Sequence, residues 1–264
     1  MTVLRFADAG EAADLAAFLG RLIHYDRGAA VRLQAGGGVL AVFGRPPSFE
    51  VLAIRTARLA EGSAGAPGGA SVGVEGGVGG LGLDVTVSAG ELLEGIAESE
   101  GSVTVPAAVT GPPWAGVLPP RGGWTRVPGL PSPDALVRTV SAAVAEFRAR
   151  DEALPPQGRT RSERDRIGRE IWSRTLGDTE LPLRVVHAAQ SLGFLRGARG
   201  ATAASEAGLP GARAGVGGAA PAVSVALLAA GGWLRLSTPY GSIAVRVGGP
   251  AGRTGLSGLT VTPV

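Results

Sequence analysis

Apolar residues recur along the chain at two spacings, and the alternation between them marks out most of its elements. Leu15, Phe18, Leu19, Leu22 and Ile23 fall at i, i+3, i+4, i+7 and i+8, the stripe of a helix that buries one face. Asp8 with Glu11 three residues later gives that helix a capping box, and residues 3–6 before it read as a short strand. Residues 30–33 and 39–43 flank the glycines at 36–38, a hairpin signal, and 51–57 extend the sheet. Residues 83–87 predict a further strand, Ser88 with Glu91 caps a second helix to about residue 97, and 103–105 form the last strand of this half.

In order of elements alone, this half resembles the repeating unit of DNA sliding clamps. Residues 106–133 then hold eight of the 19 prolines together with Trp114 and Trp124, so 106–132 reads as an extended connector. Its tryptophans either pack onto the flanking domains or offer a protein partner a docking segment.

Helical spacing returns beyond the connector. Ser132 caps, Pro133 takes the first helical position, and Leu136, Val137, Val140, Val144 and Phe147 make one apolar face down to about residue 153. Thr160 with Glu163 opens a helix that turns Ile167, Ile171 and Trp172 inward and stops at Gly177. A third helix spans about 182–192, with Val185, Ala189 and Leu192 inward and Gly193 ending it. Residues 197–222 are Gly, Ala and Pro with scattered Arg, a flexible insertion by composition. Residues 233–237 and 242–247 then predict a hairpin. If Ser237 pairs with Ser242, Leu234, Leu236, Ile243 and Val245 share one face, and Trp233, Arg235 and Arg246 the other. The fold class expected is α+β: an acidic N-terminal mixed sheet with two helices (1–105), the connector (106–132), and a basic three-helix domain with a terminal hairpin (133–264).

Composition narrows the chemistry. The 264 residues contain no Lys, Asn or Cys, and all 25 basic residues are Arg. That excludes a Walker A lysine, a Schiff base, a thiolate nucleophile, a disulfide and a zinc–thiolate site. Arginine and glycine in this abundance look like the product of a GC-rich genome, and in overall texture the chain resembles uncharacterised conserved proteins of high-GC actinobacteria. The pI of about 10.4 follows from arginine, which does not deprotonate, while the net charge is only +3. Charge is unevenly spread: residues 1–120 carry 7 Arg and 12 acids, residues 121–264 carry 18 Arg and 10 acids. The two halves either attract each other or the basic half meets an anionic partner.

Catalytic signals are sparse. Gly77, Gly79 and Gly82 spell a dinucleotide fingerprint but precede a strand, and Gly69, Ser71 and Gly73 spell a nucleophile elbow with no strand feeding it; a chain with 44 glycines produces both by composition. His24 and His187 are the only histidines, and His24 suits a helix C-terminus. Glu91, Glu94 and Glu98 share a helical face, read as solvated, with a carboxylate metal or catalytic site as the alternative. The uncharged stretch 214–234 has too short an apolar run to span a bilayer, and acids at positions 8, 11 and 14 interrupt any export signal. A cytoplasmic protein without membrane contact and without a cofactor is expected.

Three helices followed by a hairpin resemble a winged-helix domain. That resemblance implies duplex DNA as partner, with Arg184, His187, Gln190 and Ser191 of the third helix reading bases. Arg235 and Arg246 of the wing, with Arg161, Arg164 and Arg169, would contact phosphates. The leading expectation is a non-enzymatic adaptor or regulatory protein, with DNA binding as its sharpest form. The alternatives are a purely protein-binding or structural module, docking through the connector or the Trp233 face, and an enzyme with a carboxylate-based site.

Overall fold

Capping by the predicted side chains Asp8, Ser88, Ser132 and Thr160 starts four of the α-helices. Asp8 accepts the backbone N–H of Glu11 at 3.0 Å at the head of α1 (Ala9–Tyr25), which follows β1 (Thr2–Arg5) and buries Leu15, Phe18, Leu19 and Leu22. The computed structural model describes residues 2–62, 82–114, 116–196 and 225–247. The two glycine motifs, apart from Gly82, and the 197–222 insertion lie outside the described residues.

β2 (Ala30–Gly36) and β3 (Val39–Gly44) are joined by Gly37 and Gly38, whose φ values of 59° and 75° give the tight turn a conformation other residues resist. β4 (Leu52–Arg58) and β5 (Leu83–Ser88) complete four strands. Ser88 caps α2 (Ala89–Glu94), and β6 (Ile96–Ala97) and β7 (Ser102–Val105) join β1 in a small separate sheet. In the second half, β8 (Thr125–Val127) precedes α3 (Pro133–Glu152), α4 (Arg161–Trp172) and α5 (Leu183–Ser191); β9 (Ala226–Ala230), β10 (Trp233–Thr238) and β11 (Gly241–Arg246) follow. The fold is α+β.

The large sheet has eight antiparallel strands in the order β5-β2-β3-β4-β11-β10-β9-β8. Strands of the two halves meet at β4 and β11, where Ile54, Ala53 and Leu52 pair with Ser242, Ile243 and Ala244. Ser237 pairs with Ser242, and Leu234, Leu236, Ile243 and Val245 turn to the helical face, where α1 covers β4 and α5 covers β11. A wing would stand at the margin of a helical domain. This hairpin lies inside the sheet, flanked by β4 and β9, because its apolar face completes a core that both halves share.

The opposite face of the sheet is covered by the connector. Trp114 is 5% exposed and packs with Leu52, Ile54, Trp233 and Ala244, with Trp124 and Leu118 beside them. Trp233, expected as a docking face, is itself only 7% exposed, for the same reason. Among the described residues no helix is long and apolar enough to cross a membrane.

Candidate functional site

The loop between β3 and β4 is the least relaxed part of the described backbone. Among the described residues Ser48 and Glu50 are the two non-glycine residues with positive φ, at 69° and 53°, a conformation that costs roughly 1–2 kcal/mol at each. Phe49 between them holds the loop down: it is 7% exposed, edge-on to Tyr25 at 5.5 Å and to His187 at 5.1 Å. His187, from α5, stacks on Trp172, the last residue of α4, with centroids 4.2 Å apart and planes 20° from parallel. Two aromatic contacts of Phe49 thus pin a strained loop against α1 and α5, and a third joins α5 to α4.

Between this loop and α3, α4 and α5 lies a cleft of about 710 Å³. Phe147, Gly168 and Trp172 supply its apolar wall, and Arg164, Arg169, Arg184 and His187 its donors. Arg164 donates to Asp151 at 2.6 Å, an ion pair that fastens α4 to α3. Among the described residues Arg169 and Arg184 have no carboxylate partner, and the Nε of Arg184 is buried with no hydrogen bond to any of them. A buried donor of a charged group is rarely left unmatched, and this one borders the cleft. Burial lowers the pKa of His187, so its ring is neutral at neutral pH and offers one donor and one acceptor. Glu50 and Asp165 are the acids at the margin, Asp165 lying 3.8 Å from Arg161.

The residues singled out from the sequence are therefore divided. Arg164, Arg169, Arg184 and His187 meet in the cleft, Gln190 is exposed farther along α5, and Ser191 is half-buried where α5 meets α1 near His24. Arg161 is paired with Asp165. Arg235 and Arg246 lie across the sheet: Arg235 donates to Ser242 at 2.8 Å with its guanidinium 5.7 Å from the Trp124 ring, and Arg246 sits 5.4 Å from the Trp233 ring. Arg184 of α5 and the arginines of the β10–β11 hairpin thus do not form one surface, because strand alternation sends the hairpin arginines to the face the connector covers. Several arginines at the junction of α3 and α4 are matched by carboxylates. Arg150 and Arg174 bind Glu170 and Glu146 between α3 and α4, and Arg166 binds Glu163.

Sequence reasoning missed Ser48, Phe49 and Glu50. Pro46 and Pro47 mark a turn there, but nothing in the residue types announces positive φ at a serine and a glutamate. Trp172 and Phe147 were expected to face inward; both are half-buried and line the cleft. Glu91 and Glu94 are exposed on α2 and Glu98 lies in the following 3₁₀ turn, so the three do not share one helix. Among the described residues no group of three His, Asp or Glu is placed to hold a metal ion. A second recess of about 760 Å³ lies at the other side of the strained loop, lined by Arg45, Arg246 and Trp233, with Ser48 and Glu50 common to both.

Residues 1–116 match the family model described as a domain of unknown function, DUF8010, and residues 119–250 match that of a second domain of unknown function, DUF8185. No curated protein and no solved structure matches the chain.

Proposed function

The chain belongs to the DUF8185 family, and from its cleft we propose that it is a non-enzymatic regulatory or adaptor protein of the cytoplasm whose state is set by an anionic ligand bound among α3, α4, α5 and the strained loop. One observation carries this reading: Arg169 and Arg184, neither with a carboxylate partner among the described residues, border the same cleft as a neutral imidazole. Guanidinium groups left unmatched beside an apolar wall attract carboxylate or phosphate; Arg169 is exposed, and Arg184 is half-buried with its Nε shut off from water, where a charged hydrogen bond is stronger than in open water. A binding role is favoured over catalysis because the imidazole is held by Trp172 and Phe49, an arrangement that fixes it as a wall more readily than as a proton carrier.

The test is stabilisation by small anions. Carboxylates and phosphates should raise the melting temperature in a concentration-dependent way, as any ligand selective for the folded state does. Arg169→Ala and Arg184→Ala should each weaken binding about tenfold or more, since a charged hydrogen bond contributes roughly 1.5–3 kcal/mol. Absence of stabilisation by every anion tried would remove the reading.

Duplex DNA is the partner implied by the winged-helix resemblance, and it has its own signature. Affinity would fall steeply with salt, and Arg235→Ala with Arg246→Ala would flatten the slope by about one unit per lost phosphate contact. The separation of those two arginines from Arg169 and Arg184 favours the small-anion reading over this one.

A further inference from the structure

Gly168 stands in the middle of α4, where glycine weakens a helix relative to alanine. Sterics do not require it. A Cβ at this position would meet Phe147 and Trp172 ring carbons at 3.7 Å and the indole nitrogen at 3.9 Å, all ordinary contact distances, and its φ is not in the left-handed region. What the missing Cβ does is leave open the part of the cleft where those two rings approach the helix. That gap lies on the same helix as Arg169 and in the same cleft as Arg184.

We propose that the ligand of this cleft is a planar aromatic anion, its ring lying over Gly168 against Trp172 and Phe147 and its carboxylate or phosphate held by Arg169 and Arg184. The inference rests on the anion-binding reading above and adds the ring. Its physical basis is the division of the cleft into an apolar aromatic wall and a donor-rich margin. A ligand lacking either part leaves one of them unmatched: a bare oxyanion leaves the rings in water, and a neutral arene leaves the guanidinium groups without a partner. The indole N–H of Trp172, which donates to none of the described residues, adds a donor at the boundary between the two. The about 710 Å³ available lies within the roughly 300–1,000 Å³ of pockets that enclose small ligands.

Two sources of such a ligand share this chemistry, an aryl carboxylate and a nucleoside monophosphate, and calorimetric titration of the full chain separates them. The probes are 1-naphthoate and adenosine monophosphate, with acetate and inorganic phosphate as the ring-free counterparts. At least one ring-bearing probe is expected to bind tenfold or more tightly than its counterpart, and Gly168→Ala to weaken that binding by a similar factor while raising the melting temperature. This opposition between stability and affinity is what a merely structural glycine does not produce. Equal binding of ring-bearing and ring-free anions overturns the inference and leaves the anion-binding reading standing. Unchanged affinity in Gly168→Ala also overturns it. Binding by none of the four probes removes both.

Discussion

The imidazole of His187 lies flat on the indole of Trp172, 4.2 Å away, and joins α5 to the end of α4 at a position where burial favours the uncharged ring. Burial holds the pKa of His187 below its ordinary 6.5. The unfolded chain therefore takes up this proton first on acidification, so the stability contributed by the neutral ring is complete above about pH 6.5 and is lost as pH falls from there through the lowered pKa of the folded state. Melting temperatures measured from pH 8 to pH 5 should fall in that window, and His187→Phe, which keeps a ring on Trp172 but cannot titrate, should flatten the decline. His24→Phe serves as the comparison, being the other histidine of the chain. Equal slopes in wild type and His187→Phe would contradict the assignment.

Joining β4 to β11 makes the two halves share one hydrophobic layer, and the consequence is cooperative unfolding. Leu33 in β2 and Leu236 in β10 are both fully buried against the helical face from opposite halves of the chain. Each Leu→Ala change should cost about 2–5 kcal/mol. Both should shift the same single transition, followed by near- and far-ultraviolet circular dichroism. Two separated transitions, with one variant moving only one of them, would mean that the β4–β11 pairing does not couple the halves.

Legibility in the sequence followed the range of the physical signal. The capping boxes at Asp8, Ser88 and Thr160 and the stripe of α1 are local, and each is found where the spacing places it. The hairpin register, Ser237 opposite Ser242, follows from the period of two. β9 was hidden by its alanines, although Gly231 and Gly232, with φ of 51° and 79°, mark the turn into β10. β8, three residues inside a proline-rich stretch, has no periodicity to read. The pairing of Ile54 with Ser242 spans most of the chain and leaves no trace in local pattern. At the site, Arg164, Arg169, Arg184 and His187 were chosen for their types and spacing. Their separation from Arg235 and Arg246 depends on that long-range pairing, so the analogy with a wing placed all of them on one surface.

Acid sensitivity should come from the junction of α3 and α4. Hydrogen bonding from Arg150, reinforced by its charge and by Arg174, lowers the pKa of Glu170 to about 2. A carboxylate whose pKa is depressed by folding contributes stability above its ordinary value of 4.5 and loses it as pH falls toward about 2. Because Glu170 is exposed and screened by water, the effect is expected to be small and to shrink further in high salt. Glu170→Gln should therefore lose less stability than wild type between pH 4.5 and 2 in low-salt melts. An acid limb unaltered by the substitution would argue that the Arg150–Glu170 pair contributes nothing.

The covering of the sheet by the connector is tested at Trp114. Its ring is 5% exposed among Leu52, Ile54, Trp233 and Ala244, and its indole N–H is buried without a hydrogen-bond partner. Removing the ring leaves a cavity over the sheet, so Trp114→Ala should cost about 3–5 kcal/mol in urea unfolding. Trp114→Phe keeps most of the apolar contact and breaks no hydrogen bond, because none is made, and should cost less than half as much. A connector that held its tryptophan out for a protein partner gives a different pattern, with both variants within about 0.5 kcal/mol of wild type, as for a surface substitution. Acrylamide quenching discriminates independently: the fluorescence lost on replacing Trp114 should belong to the most protected of the four tryptophans, since the side chain is closed off from water by the sheet on one side and its own segment on the other.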